Sequence, residues 1–403
     1  METLLPMSLR QLNHLDLLRR VERSEITERK AADLLQVTDR TIRRQLARLD
    51  EEGPGFLKHG LKGQPSNNRL PDQETKKIEK LLREKYPDFG PTFAAEKLSE
   101  LHDIDRDAKT VRRILINLKL FIPRRVRTKV VHRFWRVRRS MRGELVQFDG
   151  SYHDWFEGRG GISEACLLLA VDDATGHILD AQFAPHEGVL PIMGFWLSYA
   201  AIHGIPQAVY LDRFSTYSMN MKLAAENPDT LTQFERAAKD VGMGVIHAHS
   251  PQAKGRVENA FGTLQDRLVK EMRLAGIGGV EAANVFLRRT FIPSYNRKFG
   301  KAPAKPGDLH RKPTEREQKD VLPYVFCRKE TRVVRNDFTL PYKTAWFQLL
   351  PTPRLAVRPK ERVDVHELPD ESIRLVVRGK RANFLPLPTR PTGTSGAATT
   401  LTV

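Results

Sequence analysis

The chain has 403 residues, a formal net charge of +18 and 40% hydrophobic residues, a length that suits two to four domains with real cores. No apolar run reaches the ~18 residues of a membrane span. The two cysteines, Cys166 and Cys327, stand too far apart for a disulfide framework or a metal knuckle. The charge is uneven, with net +12 over residues 1–140, −3 over 141–300 and +9 over 301–403. Basic flanks suit a polyanion and an acidic centre suits bound cations.

Residues 8–50 read as helices. The stretch ITERKAADLLQVTDRTIRRQLARLDEEG predicts a helix-turn-helix. Its first helix covers Glu28 to Leu35, QVT forms the turn, and Thr38 or Asp39 caps the second helix. That second helix buries Ile42, Leu46 and Leu49 and exposes Arg40, Arg43, Arg44 and Arg48. In a helix-turn-helix it would enter a major groove; the same pattern also fits an ordinary helical hairpin with a solvated basic face. GLKGQPSNNRLP reads as a linker. Three more helices follow, over Gln73–Lys85, Pro91–Leu101 and Ala108–Leu120, the last carrying Lys109, Arg112 and Arg113. From Ala108 to Gly143 there are 13 Lys and Arg residues and no acid. With Arg124, Arg125 and Arg127 at its centre, that run points to DNA phosphate contact.

At Gly143 the texture changes to strands. ELVQFDG alternates and ends at Asp149, and SEACLLLAVDDATGHILDAQFA reads as two strands joined at a turn. Val189 to His203 reads as a buried helix, QAVYLDR as a strand ending in Asp212, TQFERAAKDVG as a helix and GVIHAH as a strand. The last helix of this region starts near Ala253 and carries Val257, Phe261, Leu264, Leu268 and Met272 at helical spacing. The order β-β-β-α-β-α-β-α predicts a mixed sheet with helices, the ribonuclease-H-like arrangement. Lys329 to Arg381 reads as five short strands, a small β-barrel, and the tail from residue 388 reads as disordered.

Asp149 and Asp212 end apolar strands, and Glu258 lies on a helix entered directly from a strand. Three carboxylates on three elements of one sheet can meet at a point. Their mutual repulsion turns to advantage if divalent cations bind there. Mg2+ takes oxygen ligands, and two such ions can serve an in-line displacement by activating the attacking oxygen and stabilising the leaving one. Gly255 would let a phosphate approach the helix start, where exposed N–H groups favour an anion. Lys254 lies one turn before Glu258 on the same face. Arg256, close by in sequence, joins Lys254 as a candidate DNA contact. Alternatively Gly255 is a tight packing point and Lys254–Glu258 an exposed pair. Asp172 and Asp173 read as turn formers, Asp154 and Glu157 as solvated, and Trp155 and Trp196 as core. His249 reads either as a contact to substrate or water or as a structural residue.

The stretches ELVQFDGSYHDWFEGRG, CLLLAVDDATGHILDAQFAPHEG, YLDRFSTY, TQFERAAKDVGMGVIHAHSPQAKGRVENAFGTLQDRLVKEMRLAGI and PSYNRKFGKAP resemble insertion-sequence transposases of the retroviral-integrase type, and within them the ISNCY group. The resemblance covers about 145–303 closely, and the flanking parts agree in order. It implies that Asp149, Asp212 and Glu258 form the DDE metal-binding triad. The 45 residues between Asp212 and Glu258 exceed the familiar spacing of 35, and MNMKLAAENPDTL looks like the extra piece.

The expected fold is therefore multidomain. A helix-turn-helix unit over 1–59 and a linker over 60–72 precede a second helical DNA-binding unit over 73–122 and a basic linker over 123–143. A ribonuclease-H-like core over 144–300, a linker over 301–327, the β-barrel over 328–387 and the tail over 388–403 follow. The expected function is a DNA transposase. It would bind terminal inverted repeats, free 3′-hydroxyl ends and join them to target DNA, using two Mg2+ ions, with Mn2+ able to substitute, and no nucleotide cofactor. Expected partners are double-stranded DNA and further copies of the chain, at least a dimer on DNA. The expected location is a bacterial cytoplasm, on the nucleoid and not at a membrane. A ribonuclease-H-type nuclease without strand transfer, or a non-catalytic helix-turn-helix regulator, is the alternative.

Overall fold

The computed structural model describes residues 7–58, 69–123, 136–212, 227–248, 255–353 and 355–390. Arg124, Arg125, Arg127, His249, Lys254, most of the 219–231 piece and the tail from 391 lie outside the described residues. The chain divides into two units, 1–124 and 125–403.

In the first unit, α1 (Leu9–Glu22), α2 (Glu28–Leu35) and α3 (Asp39–Glu52) close over Leu18, Ala31, Ala32, Ile42 and Leu49. The Thr27 hydroxyl accepts from the Lys30 N–H at 3.2 Å and starts α2. Gln36 ends it in the left-handed region, with φ 55°. Thr38 caps α3 by accepting from the Thr41 N–H at 3.3 Å. Both caps satisfy N–H groups that a helix start leaves without partners. A second cluster joins α4 (Asp72–Glu84), α5 (Pro91–His102) and α6 (Ala108–Asn117) around Tyr86, Phe89, Phe93, Leu98, Val111 and Leu115.

In the second unit, β1 (Val146–His153), β2 (Ala165–Asp172) and β3 (Ile178–Ala184) form an antiparallel meander. Helix α7 (Val189–Ile202) leads to β4 (Ala208–Asp212), and α8 (Asn227–Asp240) leads to β5 (Gly244–Ala248). β4 runs parallel to β1, and β5 runs parallel to β4. The sheet order β3-β2-β1-β4-β5 is the mixed, ribonuclease-H-like arrangement expected from the element order. Every residue of β2 is buried. Its Cys166, Leu168 and Ala170 face the α7–α8 layer, while Leu167, Leu169 and Val171 face α9 (Gly255–Leu274), α10 (Val280–Phe286) and α11 (Ile292–Phe299). A strand covered on both faces must read as a continuous apolar run.

The outer edge of β3 is closed by side chains. The Asn284 amide accepts from Phe183 N–H at 2.7 Å and donates to its carbonyl at 3.2 Å. Asn296 does the same at Ile178, at 2.8 Å each way. Both amides occupy backbone groups that would otherwise offer an open edge for pairing.

The region 328–387, in which five strands are expected over Lys329–Arg381, holds seven among the described residues: β6 (Arg328–Val333), β7 (Thr339–Tyr342), β8 (Ala345–Leu349), β9 (Arg362–Glu367), β10 (Ile373–Val377), β11 (Lys380–Ala382) and β12 (Phe384–Leu387). They form a sheet β11-β10-β9-β6 and a sheet β12-β8-β7 over one core of Leu340, Phe347, Val363, Val365 and Leu375. RLAVRP is no strand; its Leu355 makes a single bridge to Thr352. Among the described residues no helix is long and apolar enough to cross a membrane.

Candidate active site

The parallel pairing of β1 with β4 matches Val146 to Val209 and Gln147 to Tyr210. The same offset carries Asp149 to the position of Asp212. Adjacent strands lie ~4.8 Å apart, so the offset, continued past the last bonded pair, sets the two positions side by side where such sheets open to ligands; Asp149 does not end its strand as expected, because β1 runs on against β2 to His153. Strand alternation sets Val146 and Phe148 on the α7 side and Gln147 and Asp149 on the α9 side. Next along β1 is Gly150, where an added Cβ would stand 2.9 Å from the carboxyl carbon of Glu187. Glu187, which the sequence did not single out, thus brings another carboxylate to this end of the sheet. Its backbone N–H donates to the Tyr152 hydroxyl at 2.8 Å, and burial pushes that phenol up to about 12.

Helix α9 is fixed to β1 at two places. The buried Gln147 side chain accepts from the Val257 N–H at 3.1 Å. Gln265 donates to the Ser151 hydroxyl at 3.3 Å. Eight helix residues rise ~12 Å and four strand residues ~13 Å, so helix and strand run side by side in step. Glu258, exposed, follows Val257 directly and stands on the first turn. The helix therefore brings Glu258 to the first half of β1, which also holds Asp149. Among the described residues Gly255 is no tight packing point, since an added Cβ would meet none of them within 4 Å.

The four polar residues read as turn or solvent positions hold those places, and two of them also carry ion pairs. Asp172 forms the turn, accepting from Thr175 N–H at 2.8 Å and its hydroxyl at 2.7 Å. Asp173 stands in the same turn. Its side chain is fully buried and accepts from Gln147 at 2.8 Å, from the Arg139 N–H at 2.9 Å and from Arg136. Arg256, expected as a DNA contact, is 16% exposed, with Nε 3.4 Å from the Asp173 carboxylate. Burial lowers its guanidinium below the usual arginine range, and Asp173 opposes that shift. Glu157 is paired as well: Arg273 donates to it at 2.9 Å and holds its carboxyl below the usual range. Asp154 accepts from Gly158 N–H at 3.3 Å in an exposed loop.

His247, on β5, stands 2.8 Å from Glu235. Trp155 and Trp196 are core residues, both fully buried. On α3, Arg40, Arg43, Arg44 and Arg48 are all exposed. Arg43 lies 3.2 Å from Glu28, and Arg48 makes a two-pronged pair with Glu52 at 2.7 and 2.8 Å. On α6, Arg112 and Arg113 are exposed, Arg112 over the Phe121 ring. Among the described residues no three acids, histidines or cysteines form a metal group; the Asp212 side chain is not among them.

The chain is 39% identical over 340 residues to y4bF of Sinorhizobium fredii (strain NBRC 101917 / NGR234), named as a transposase, covering 84% of this chain and 73% of that protein. The chain belongs to the insertion-sequence transposases. It is also 31% identical over 310 residues to the transposase for insertion sequence IS1202 of Streptococcus pneumoniae, covering 68% of this chain and 65% of that one. No family model matches. Among solved structures, this transposase is similar to a chain of the simian T-cell lymphotropic virus intasome in complex with PP2A regulatory subunit B56 gamma. The TM-score is 0.33 at 15% identity, over 76% of this chain and 99% of that one. It is also similar to the HTLV-2 integrase catalytic core domain in complex with magnesium, at TM-score 0.27 and 14% identity, over 36% of this chain and 82% of that one.

Proposed function

We propose that this transposase binds the terminal inverted repeats of its element, cleaves DNA to free 3′-hydroxyl ends and joins those ends to target DNA. Asp149, Asp212 and Glu258 are the catalytic residues. Two observations support this reading: the β1–β4 register, continued past its bonded pairs, sets Asp149 beside Asp212, and the Gln147–Val257 bond seats the turn that bears Glu258. Those three residues offer only carboxylate oxygens, the donor set that suits Mg2+, with Mn2+ able to substitute. Two bound ions would activate an attacking oxygen and stabilise a leaving one. Water is the attacking group in cleavage and the freed hydroxyl in joining. Both are in-line displacements at phosphorus, so one site serves both, and no nucleotide cofactor is needed.

DNA recognition is assigned to the arginines around this core. Arg40, Arg43, Arg44 and Arg48 on α3 read base edges as the second helix of a helix-turn-helix. Arg112, Arg113, Arg124, Arg125, Arg127 and Lys254 contact phosphates. One triad holds one scissile phosphate, and an element has two ends, so the active species on DNA is at least a dimer. The protein works in the cytoplasm, on the nucleoid. The test is a strand-transfer assay with purified protein, Mg2+ and a DNA fragment carrying the element's end. Joined products support the reading; hydrolysis without any joining would leave only a nuclease.

A further inference from the structure

The polar cluster behind the carboxylates calls for its own explanation. A fully buried carboxylate is costly to hide unless it is paired, and a well-packed apolar set can serve stability as well or better. Asp173 is such a group. It takes hydrogen bonds from Gln147, Arg136 and the Arg139 N–H, and Arg256 stands against it. Gln147 is likewise fully buried, and its two ends have opposite partners. Its amide N–H donates to Asp173, and its carbonyl accepts from Val257 at the third residue of α9. The first N–H groups of a helix have no partner within the helix. Here the partner comes from inside the sheet, two residues before Asp149, and it holds the residue immediately before Glu258.

The geometry points to Gln147 and Asp173 as positioning residues that set Glu258 against Asp149. This rests on the proposed role of Glu258. Gln147 ties strand to helix; Asp173 orients Gln147 and draws in Arg256 from the same turn. Two connections, one to the backbone of Val257 and one to the side chain of Arg256, fix the translation and rotation of the first turn of α9. Neither residue needs to touch substrate. The same carboxylate holds Arg136 and the Arg139 backbone, so the end of the basic segment is seated on the part that seats Glu258.

The test replaces Gln147 with methionine, which keeps the volume and removes both hydrogen bonds. Two quantities are read on the full chain. In metal-free protein, amide hydrogen exchange over residues 255–262 should quicken by about 2- to 12-fold, the worth of one lost hydrogen bond. With a DNA end bound, the Mg2+ concentration for half-maximal cleavage should rise by about 10- to 100-fold, as for other groups that orient metal ligands, while end binding stays the same. If Q147M does not fold, Gln147→Asn, shorter by one methylene, carries the same two readouts. Wild-type values in either readout overturn the inference. Glu258→Gln separates the two claims. Inactive E258Q beside a wild-type-like Q147M removes the positioning role and leaves the triad; fully active E258Q removes the triad itself.

Discussion

Replacing Arg40 and Arg44 together with alanine tests the division of labour among the arginines. On α3, Arg43 faces Glu28 at 3.2 Å and Arg48 is held by Glu52, whereas Arg40 and Arg44 are exposed one turn apart. A good bidentate base contact is worth ~1–3 kcal/mol of discrimination. Two lost contacts therefore remove ~2–6 kcal/mol, and at ~1.4 kcal/mol per tenfold that is about 30-fold or more in affinity for the element's end. Alanine is the best helix former, so circular dichroism and melting should stay close to wild type. Fluorescence anisotropy at one fixed salt concentration, with end DNA and with random DNA, measures the effect. End binding should fall far more than random binding, and R43A/R48A should cost less. Neutralising Arg124, Arg125 and Arg127 should instead weaken both kinds of binding and flatten the log–log salt slope by ~0.9 per lost phosphate contact. Equal losses on both DNAs for the α3 pair would refute the assignment of α3 as the reader.

Three further outcomes are expected. Gly255→Ala should leave melting unchanged or raise it slightly, because the added Cβ meets nothing within 4 Å among the described residues; it should weaken cleavage if DNA approaches there, and full cleavage would remove that role. Burial, with Arg142 next, holds His203 down to about 4, and burial, with Lys329 next, does the same for His366. Between that value and the ~6.5 of an unfolded histidine, the unfolded chain takes up protons that the folded chain refuses. Stability is thus retained above this window and lost as pH falls through it. The urea midpoint of H203Q/H366Q should drop less than wild type between pH ~7.5 and ~4.5, and identical drops would contradict the assignment. Mixing E258Q with the R40A/R44A variant should recover strand transfer that neither shows alone; sizing of the active complex as one chain on paired ends would sink the multimer.

The periodic parts of this protein were legible from sequence. Helix α2 runs from Glu28 to Leu35 as its apolar spacing predicts, and the β-β-β-α-β-α-β-α order yields the observed sheet. Asp212 ends β4 as the sequence suggests, whereas Asp149 stands in mid-strand, because β1 continues to His153 through its pairing with β2, which the change of texture after Asp149 hides. What sequence missed depends on partners far along the chain. Asp173 is a turn residue by its backbone, yet its side-chain partners are Gln147, Arg136 and Arg256. A glutamine inside an apolar strand was the available signal, since a buried amide must be paired. Glu187 precedes a helix in a loop, and only the close approach of Gly150 reveals its place. In the C-terminal part, β11 and β12 are three and four residues long, too short to show a period.

The central claim is that Asp149, Asp212 and Glu258 act as one site. The most direct measurement is cleavage and strand transfer by D149N, D212N and E258Q with Mg2+, beside binding of the same proteins to the element's end. Each change removes a charged oxygen donor and almost no volume. All three should lose both reactions and keep end binding near wild type; full activity in any one of them contradicts its membership of the triad.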